Sequence, residues 1–206
     1  KDRNKLFVQT ATSFNQRFNI DVRISTEVIA IDTNLKTITA RNLLSNTEYR
    51  ESYDKLVLSP GAEPIRPPLP GIHLPGIFTL HNVADTDHIK NFVTQRSSGK
   101  AVIIGAGFIG LEMAENLHNL GMEVSIIEMG NQILAPVDFP IASLAQQHIR
   151  SKGVDLRLSA TVTGFEEIQN GVKVLMKDGK TIDADIVILS IGVRPNTKLA
   201  TMAGLQ

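Results

Sequence analysis

The chain has 206 residues, of which 42% are hydrophobic and 20% are charged, and its 21 basic side chains balance its 21 acidic ones. This composition is typical of a soluble protein with one large domain or two small ones, and a neutral chain lacks the basic surface of nucleic-acid-binding proteins. Cysteine is absent, which excludes disulfides, and no apolar run has the length of a membrane span or a signal peptide. We therefore expect a cytoplasmic protein without nucleic-acid or membrane partners.

The first hundred residues predict a helix and several strands in succession. An amphipathic pattern covers residues 7–18, and residues 36–41 and 48–52 predict a short antiparallel region. Residues 56–61 are an apolar run that ends in glycine, which predicts a buried parallel strand. A proline-rich connector follows, and residues 82–95 then predict a second amphipathic helix.

A glycine fingerprint lies in the middle of the chain. Residues 101–104 are an apolar run typical of a strand buried on both faces, and Gly105, Gly107 and Gly110 then form the pattern G-x-G-x-x-G. A helical pattern and a second apolar strand follow over residues 108–128 and complete a βαβ unit. In this context the first glycine permits a tight turn, the second lets a pyrophosphate approach the backbone, and the third lets the helix pack closely on the strand. The unit therefore predicts a dinucleotide site.

Glu128, at the end of that second strand, indicates which dinucleotide binds. It follows Gly107 by about 20 residues, at the position where a carboxylate accepts hydrogen bonds from a ribose diol and repels a 2′-phosphate. This favours NAD(H) over NADP(H). Glu112, on the first turn of the helix, has two interpretations: a carboxylate that stabilises the helix N-terminus, or a polar group near the reacting end of the cofactor.

The last third of the chain predicts a helix, a hairpin and a further strand. Residues 140–152 have an amphipathic helical pattern, and the hairpin over residues 171–183 turns at an Asp-Gly pair. A buried strand then ends at Gly192, and residues 197–202 predict a short helix. The five histidines show no metal-ligand spacing, so we expect no metal site.

Two blocks of sequence occur twice, in the same order. Residues 21–28 match residues 155–162, and residues 54–64 match residues 185–195. Each copy carries an antiparallel region between its two blocks. This order predicts an internal duplication, in which the chain holds one and a half copies of one domain.

The predicted fold is therefore α/β. It is a Rossmann-like domain with a parallel sheet, helices and a small antiparallel meander, present as a complete second copy and a partial first copy. The last strand of each copy ends in a glycine, at Gly61 and Gly192, where a cofactor can approach the backbone. Two such ends in matching copies predict two dinucleotides, one held by residues 1–82 and the other by residues 83–206.

The whole chain resembles the pyridine nucleotide–disulfide oxidoreductases. Residues 59–64, 105–112 and 190–196 carry the resemblance, and the following branch is the most similar: CoA-disulfide reductase, NADH oxidase, NADH peroxidase and persulfide reductase. The resemblance implies that residues 1–82 are the C-terminal part of an FAD-binding domain and that residues 83–206 bind NAD(H).

The resemblance also implies which residues contact the two cofactors. The residues implied for the NADH site are Gly105, Gly107, Phe108, Ile109, Gly110, Glu112, Glu128, Ile191 and Gly192. The residues implied for the FAD site are Val28, Ser59, Pro60 and Gly61. Of these, Glu112, Ile191 and Gly192 match positions beside the nicotinamide, so the resemblance favours the functional interpretation of Glu112.

The activity implied is hydride transfer from NADH to FAD, with the electrons then passing to a disulfide, persulfide, peroxide or oxygen, in a homodimer. We expect the FAD glycine motif and the redox cysteine of such a protein before Lys1, and its dimerisation domain after Gln206. The 206 residues alone are then expected to bind NADH without catalysis.

Two alternatives stay open. An electron-transfer flavoprotein of the ferredoxin- or rubredoxin-reductase type would lack an upstream redox cysteine. A non-catalytic NAD(H)-binding sensor module would have no use for the FAD-lining segment, so that segment argues against it.

Overall fold

A computed structural model describes residues 8–95 and 99–205. The helices are α1 (Ala11–Phe18), α2 (Val83–Thr94), α3 (Phe108–Asn119), α4 (Phe139–Ser151) and α5 (Lys198–Met202). The strands are β1 (Thr26–Asp32), β2 (Thr37–Asn42), β3 (Glu48–Ser52), β4 (Ala62–Pro64), β5 (Ile77–Thr79), β6 (Lys100–Ile104), β7 (Glu123–Ile127), β8 (Asp155–Arg157), β9 (Val162–Ile168), β10 (Gly171–Met176), β11 (Thr181–Ala184), β12 (Ile186–Leu189) and β13 (Val193–Pro195).

The chain divides into two compact units. One unit contains Lys1–Gly61 with Asn196–Gln206, and the other contains Ala62–Pro195. The second unit thus begins earlier than the predicted boundary between residues 82 and 83, because β5 pairs with β12 and the proline-rich connector packs on the same core.

The larger unit, Ala62–Pro195, is built on a five-stranded parallel sheet. Its strand order is β5-β12-β6-β7-β8, so the chain crosses over between β6 and β7 through α3 and between β7 and β8 through α4. Apart from the first residue of β6 and of β7, which is exposed, the central strands are almost entirely buried, which explains their mostly apolar sequences.

The two faces of this sheet are covered by different layers. Side chains of α2, α3 and α4 pack on one face, where Leu117 and Ile126 are buried. The antiparallel sheet β11-β10-β9 and the proline-rich connector pack on the other, where Phe165 and Val174 are buried. This three-layer arrangement confirms the predicted α/β class with an added antiparallel meander.

The predicted helices of this unit are confirmed to within a residue or two. Asn82 and Asp85 form a reciprocal capping box that begins α2, in which the Asn82 side chain accepts from the Asp85 N–H at 3.0 Å. Pro140 lies in the first turn of α4, where a backbone N–H has no acceptor within the helix, so the missing N–H of proline costs no hydrogen bond.

The smaller unit contains the antiparallel sheet β1-β2-β3 and the helices α1 and α5. The predicted strands at residues 36–41 and 48–52 are confirmed as β2 and β3. Helix α1 begins at Ala11, because Thr10 and Ser13 cap it reciprocally, and residue 7 of the predicted helix lies outside the described residues.

The predicted buried strand at residues 56–61 is wrong. The segment forms no β-ladder, and the side chain of Val57 is 85% exposed. Its counterpart β12 is buried because β5 and β6 pair with it on both sides. Among the described residues of the smaller unit there is no parallel strand to pair with residues 56–61, and an apolar run alone does not make a strand.

Candidate functional site

The carboxyl ends of three neighbouring strands open into one cavity of the larger unit. The last residues of β6, β7 and β12, which are Ile104, Ile127 and Leu189, line this cavity of about 550 Å³ together with the turns that follow them. Ligands of open α/β sheets bind outside the carboxyl ends of the strands, and the volume is typical of cofactor sites.

The turn between β6 and α3 leaves no room for a side chain at two of its glycines. Gly105 has a left-handed φ of 99°, and a Cβ atom at this position would lie 2.4 Å from the carbonyl oxygen of Ser190. A Cβ on Gly110 would lie 2.0 Å from the Gly105 carbonyl oxygen. A larger residue at Gly105 would overlap the backbone that follows β12, and one at Gly110 would push α3 away from the turn, so these two glycines are required by the fold itself.

Gly107 differs from the other two glycines of the fingerprint. Its φ of −78° is accessible to every residue, and no atom lies within 4 Å of the position that its Cβ would occupy. It lines the cavity and is the N-cap of α3, which has no side-chain capping bond. The first N–H groups of α3 therefore lie beside open space, which is the arrangement that binds a phosphate.

Glu128 lies beside this turn and holds it in place. One carboxylate oxygen of Glu128 accepts a hydrogen bond from the Ala106 N–H at 2.7 Å, and the other accepts one from the Gly130 N–H at 2.7 Å. Each oxygen has a second lone pair, so the carboxylate can also accept bonds from a ribose diol. Among the described residues that line the cavity, Glu128 alone carries a charge, so no cation there can pair with a 2′-phosphate.

Phe108, Ile109 and Glu112 do not line this cavity. All three are exposed and line a separate groove of about 420 Å³ between α2 and α3. The reason is helical geometry, because the residues that follow Gly107 turn around the α3 axis and away from the ends of the sheet strands. Gly110 lines neither space and is buried against Gly105.

Ile191 and Gly192, after β12, line the cavity on the side of the last strand. Gly192 has a φ of 113°, and its carbonyl oxygen accepts a hydrogen bond from the Ile65 N–H at 3.0 Å. The structure thus brings together Gly105, Gly107, Glu128, Ile191 and Gly192.

The other candidates lie in the smaller unit. Val28 is a half-buried residue of β1, next to a bulge in its pairing with β2. Ser59, Pro60 and Gly61 are exposed residues of the irregular segment that follows β3, and Gly61 has a left-handed φ of 72°.

Sequence reasoning missed several residues that form the cavity. Val162 and Ser190 both line it, and the repeat offered a signal for them, since they match Val28 and Ser59 of the first copy. The Ser190 hydroxyl lies 2.8 Å from the Gly105 carbonyl oxygen and 3.0 Å from that of Ile104, and its one proton is shared between them. Leu134 and Pro136 also line the cavity, and no pattern in the sequence indicates them.

Residues 8–95 and 99–205 contain neither a candidate membrane span nor a candidate metal site. No helix there is long and apolar enough to cross a membrane. No three metal-binding side chains come close enough to hold an ion.

A parallel sheet with helices, a glycine turn at the start of α3 and an acid at the end of β7 define a dinucleotide-binding α/β protein. The family model described as "Pyridine nucleotide-disulphide oxidoreductase" matches residues 2–206. The chain belongs to this family.

Relatives of known sequence and structure agree with this assignment. The chain is 34% identical to an NADH oxidase of Methanocaldococcus jannaschii and 32% identical to a coenzyme A disulfide reductase of Staphylococcus aureus, in each case over all of this chain and 46% or 45% of the relative. The crystal structure of reduced CoADR-RHD of Bacillus anthracis superposes with a TM-score of 0.93 at 44% identity, covering all of this chain and 37% of that one. The chain thus spans less than half the length of these relatives.

Proposed function

We propose that the larger unit binds NADH in the cavity at the ends of β6, β7 and β12. The observation that carries this proposal is Gly107. The fold needs no glycine there, since its φ is ordinary and its surroundings are open. A glycine that neither the backbone nor the packing requires, at the N-cap of a helix and inside a cavity, is explained by a ligand that approaches the backbone.

The charges of the site support this dinucleotide and its orientation. The pyrophosphate would lie against the N–H groups at the start of α3, where the helix dipole favours an anion. The ribose next to the adenine would donate hydrogen bonds to Glu128, and the nicotinamide would extend towards Ile191 and Gly192. The family resemblance also assigns Phe108, Ile109 and Glu112 to the proposed NADH site. In the structure these three residues line the separate groove between α2 and α3.

We propose a second cofactor, FAD, for the first copy of the domain. The support is the duplication, since Val28 and residues 59–61 match cavity-lining residues of the second copy. In this proposal residues 1–82 are part of an FAD-binding domain and residues 83–206 are the NAD(H)-binding domain.

The reaction proposed for the whole protein is hydride transfer from NADH to FAD, followed by reduction of a small molecule, which is a disulfide, persulfide, peroxide or oxygen. The names of two relatives, an NADH oxidase and a coenzyme A disulfide reductase, support oxygen and a disulfide among these acceptors. The two cofactors supply the redox chemistry, and the chain binds and orients them.

The test of NADH binding compares two glycine variants of the same turn. Gly107→Ala should keep the thermal stability of the wild type and lose at least about tenfold in NADH affinity, which is about 1.4 kcal/mol, measured by calorimetry. Gly110→Ala should instead unfold more easily, by about 1–3 kcal/mol, because its Cβ overlaps the Gly105 carbonyl oxygen. Wild-type NADH affinity in Gly107→Ala would contradict the proposal.

Catalysis is tested separately. We expect these 206 residues, mixed with FAD and NADH under anaerobic conditions, not to bleach the flavin absorbance faster than free NADH does. Bleaching at an enzymatic rate would show that the chain is catalytically competent by itself.

A further inference from the structure

The two peptide groups that flank Ala106, in the middle of the glycine turn, are each held by a hydrogen bond. The Ala106 N–H donates to Glu128, and the Ala106 carbonyl oxygen accepts a hydrogen bond from the Leu134 N–H at 2.9 Å. Ala106 is almost completely buried. Residues 129–138, which we call the strap, therefore fix the orientation of the peptide that precedes Gly107.

The strap holds a strained residue at the point of contact. Leu134 has a left-handed φ of 50°, although it is not a glycine. This conformation costs an L-residue about 1–2 kcal/mol, and it persists only where the surroundings over-determine it. The Leu134 carbonyl oxygen accepts a bond from the Val137 N–H at 2.7 Å, which closes the strap into a turn.

A side chain of α4 forms a hydrogen bond with the strap. Gln146 lies in α4 and is 6% exposed, which is unusual for an amide side chain. Its Oε1 atom accepts a hydrogen bond from the N–H of Ile133, which has no exposed surface and precedes Leu134 directly. The connection therefore runs from Gln146 to Ile133, through the Leu134 backbone, to Ala106.

We propose that Gln146 is a positioning residue for the phosphate-binding turn. It acts through the strap, because its hydrogen bond keeps the Ile133–Leu134 backbone in the strained conformation that reaches Ala106. Without that acceptor the buried Ile133 N–H would lose its partner, and an unpaired buried N–H drives a loop to rearrange towards water. The inference rests on the proposed NADH site, since it gives Gln146 a role in binding a ligand that it does not touch.

Two variants of similar size separate the hydrogen bond from the packing. Gln146→Met keeps the length of the side chain and removes the acceptor, whereas Gln146→Glu keeps an oxygen in either protonation state. We expect Gln146→Met to weaken NADH binding by about fivefold to tenfold, in line with the loss of one buried hydrogen bond, and Gln146→Glu to stay within about threefold of the wild type.

The second readout needs no ligand. Amide hydrogen exchange of Leu134 should become faster in Gln146→Met and should be restored in Gln146→Glu. Leu156→Val is the matched control, because Leu156 is a buried residue of the same core, on a strand (β8) that pairs with β7 and not with the strap. It should lower the thermal stability and leave both Leu134 exchange and NADH affinity at their wild-type values.

Three results would overturn the inference. They are wild-type exchange of Leu134 in Gln146→Met, wild-type NADH affinity in that variant, and an equal loss of affinity in Leu156→Val. If the wild type itself bound no NADH, the proposed function would fail, and the exchange of Leu134 would still decide whether Gln146 holds the strap.

Discussion

Ser25 and Ser159 are 134 positions apart and share a left-handed backbone, with φ values of 50° and 51°. The same separation relates Asn19 to Gly153, which both have positive φ after a helix. It also relates the bulges in β1 and β9, since the pairing with the next strand skips residue 29 in one sheet and residue 163 in the other. Left-handed residues and β-bulges cost free energy and occur at few positions in a protein. Their shared spacing of 134 residues therefore supports the duplication more strongly than the matching amino acids do.

The first prediction concerns Ser159. A left-handed backbone excludes β-branched side chains most strongly, so Ser159→Val should lower the free energy of unfolding by about 1–2 kcal/mol in urea. Ser159→Gly should be nearly neutral, because the conformational relief offsets the greater freedom of the unfolded chain. Thr181→Val is the control and should change stability by less than about 0.5 kcal/mol, since that residue of β11 is exposed. A stable Ser159→Val variant would mean that this backbone conformation is not fixed.

The second prediction concerns Glu128. Glu128→Ala should weaken NADH binding by about 1–3 kcal/mol, because it removes the proposed ribose acceptor and leaves two backbone N–H groups without their carboxylate. The control is Glu123→Ala at the opposite end of β7, where the Glu123 side chain is 71% exposed. It should bind NADH like the wild type.

The third prediction compares the two cofactors in the wild type. NADH should bind more tightly than NADPH, because Glu128 is the charged group of the described cavity lining and would repel a 2′-phosphate. Competition calorimetry measures this ratio directly. Tighter binding of NADPH would contradict the ribose argument and would direct attention to the cations of the adjoining cleft, Arg157, Lys177 and Lys180.

The fourth prediction concerns Ser190. Ser190→Ala removes the hydroxyl that lies between two carbonyl oxygens of the β6–α3 turn, so it should cost about 0.5–1.5 kcal/mol of stability and weaken NADH binding. Urea unfolding and calorimetry measure the two effects. Ser151→Ala, which loses a comparable bond at the exposed end of α4, is the control and should not change NADH affinity. A Ser190→Ala variant that matches the wild type in both stability and NADH affinity would refute a role of the Ser190 hydroxyl in holding the turn.

The fifth prediction concerns pH and the hairpin between β10 and β11. The side chain of Lys180 bonds to Asp178 and holds the pKa of that carboxyl below its usual value, with help from the Lys180 N–H. A lowered pKa in the folded state means that this interaction stabilises the hairpin at neutral pH and is lost as the pH falls through that pKa. Lys180→Ala should raise the pKa of Asp178, as followed by carboxyl chemical shifts in an NMR titration. An unchanged titration curve would show that the ion pair does not persist in solution.

Much of the larger unit could be predicted from short stretches of sequence. The strand at residues 101–104, the glycine turn and α3 follow from local rules, because each depends on neighbours within a few positions. Residues 56–61 have the same kind of apolar sequence as β12, and yet they form no strand. Pairing depends on partners that are distant in sequence, and those partners decided the outcome for β12.

The candidate site shows the same division. The sequence by itself determined Gly105, Gly107, Gly110 and Glu128, because a tight turn followed by a helix, and an acid at the end of the next strand, leave a periodic and local signal. Only the tertiary structure decided that Ser190 bonds to Gly105, that Gln146 supports Leu134, and that Phe108, Ile109 and Glu112 face another groove. These contacts join residues brought together by sheet order and helix packing, and both are properties of the whole core rather than of any segment.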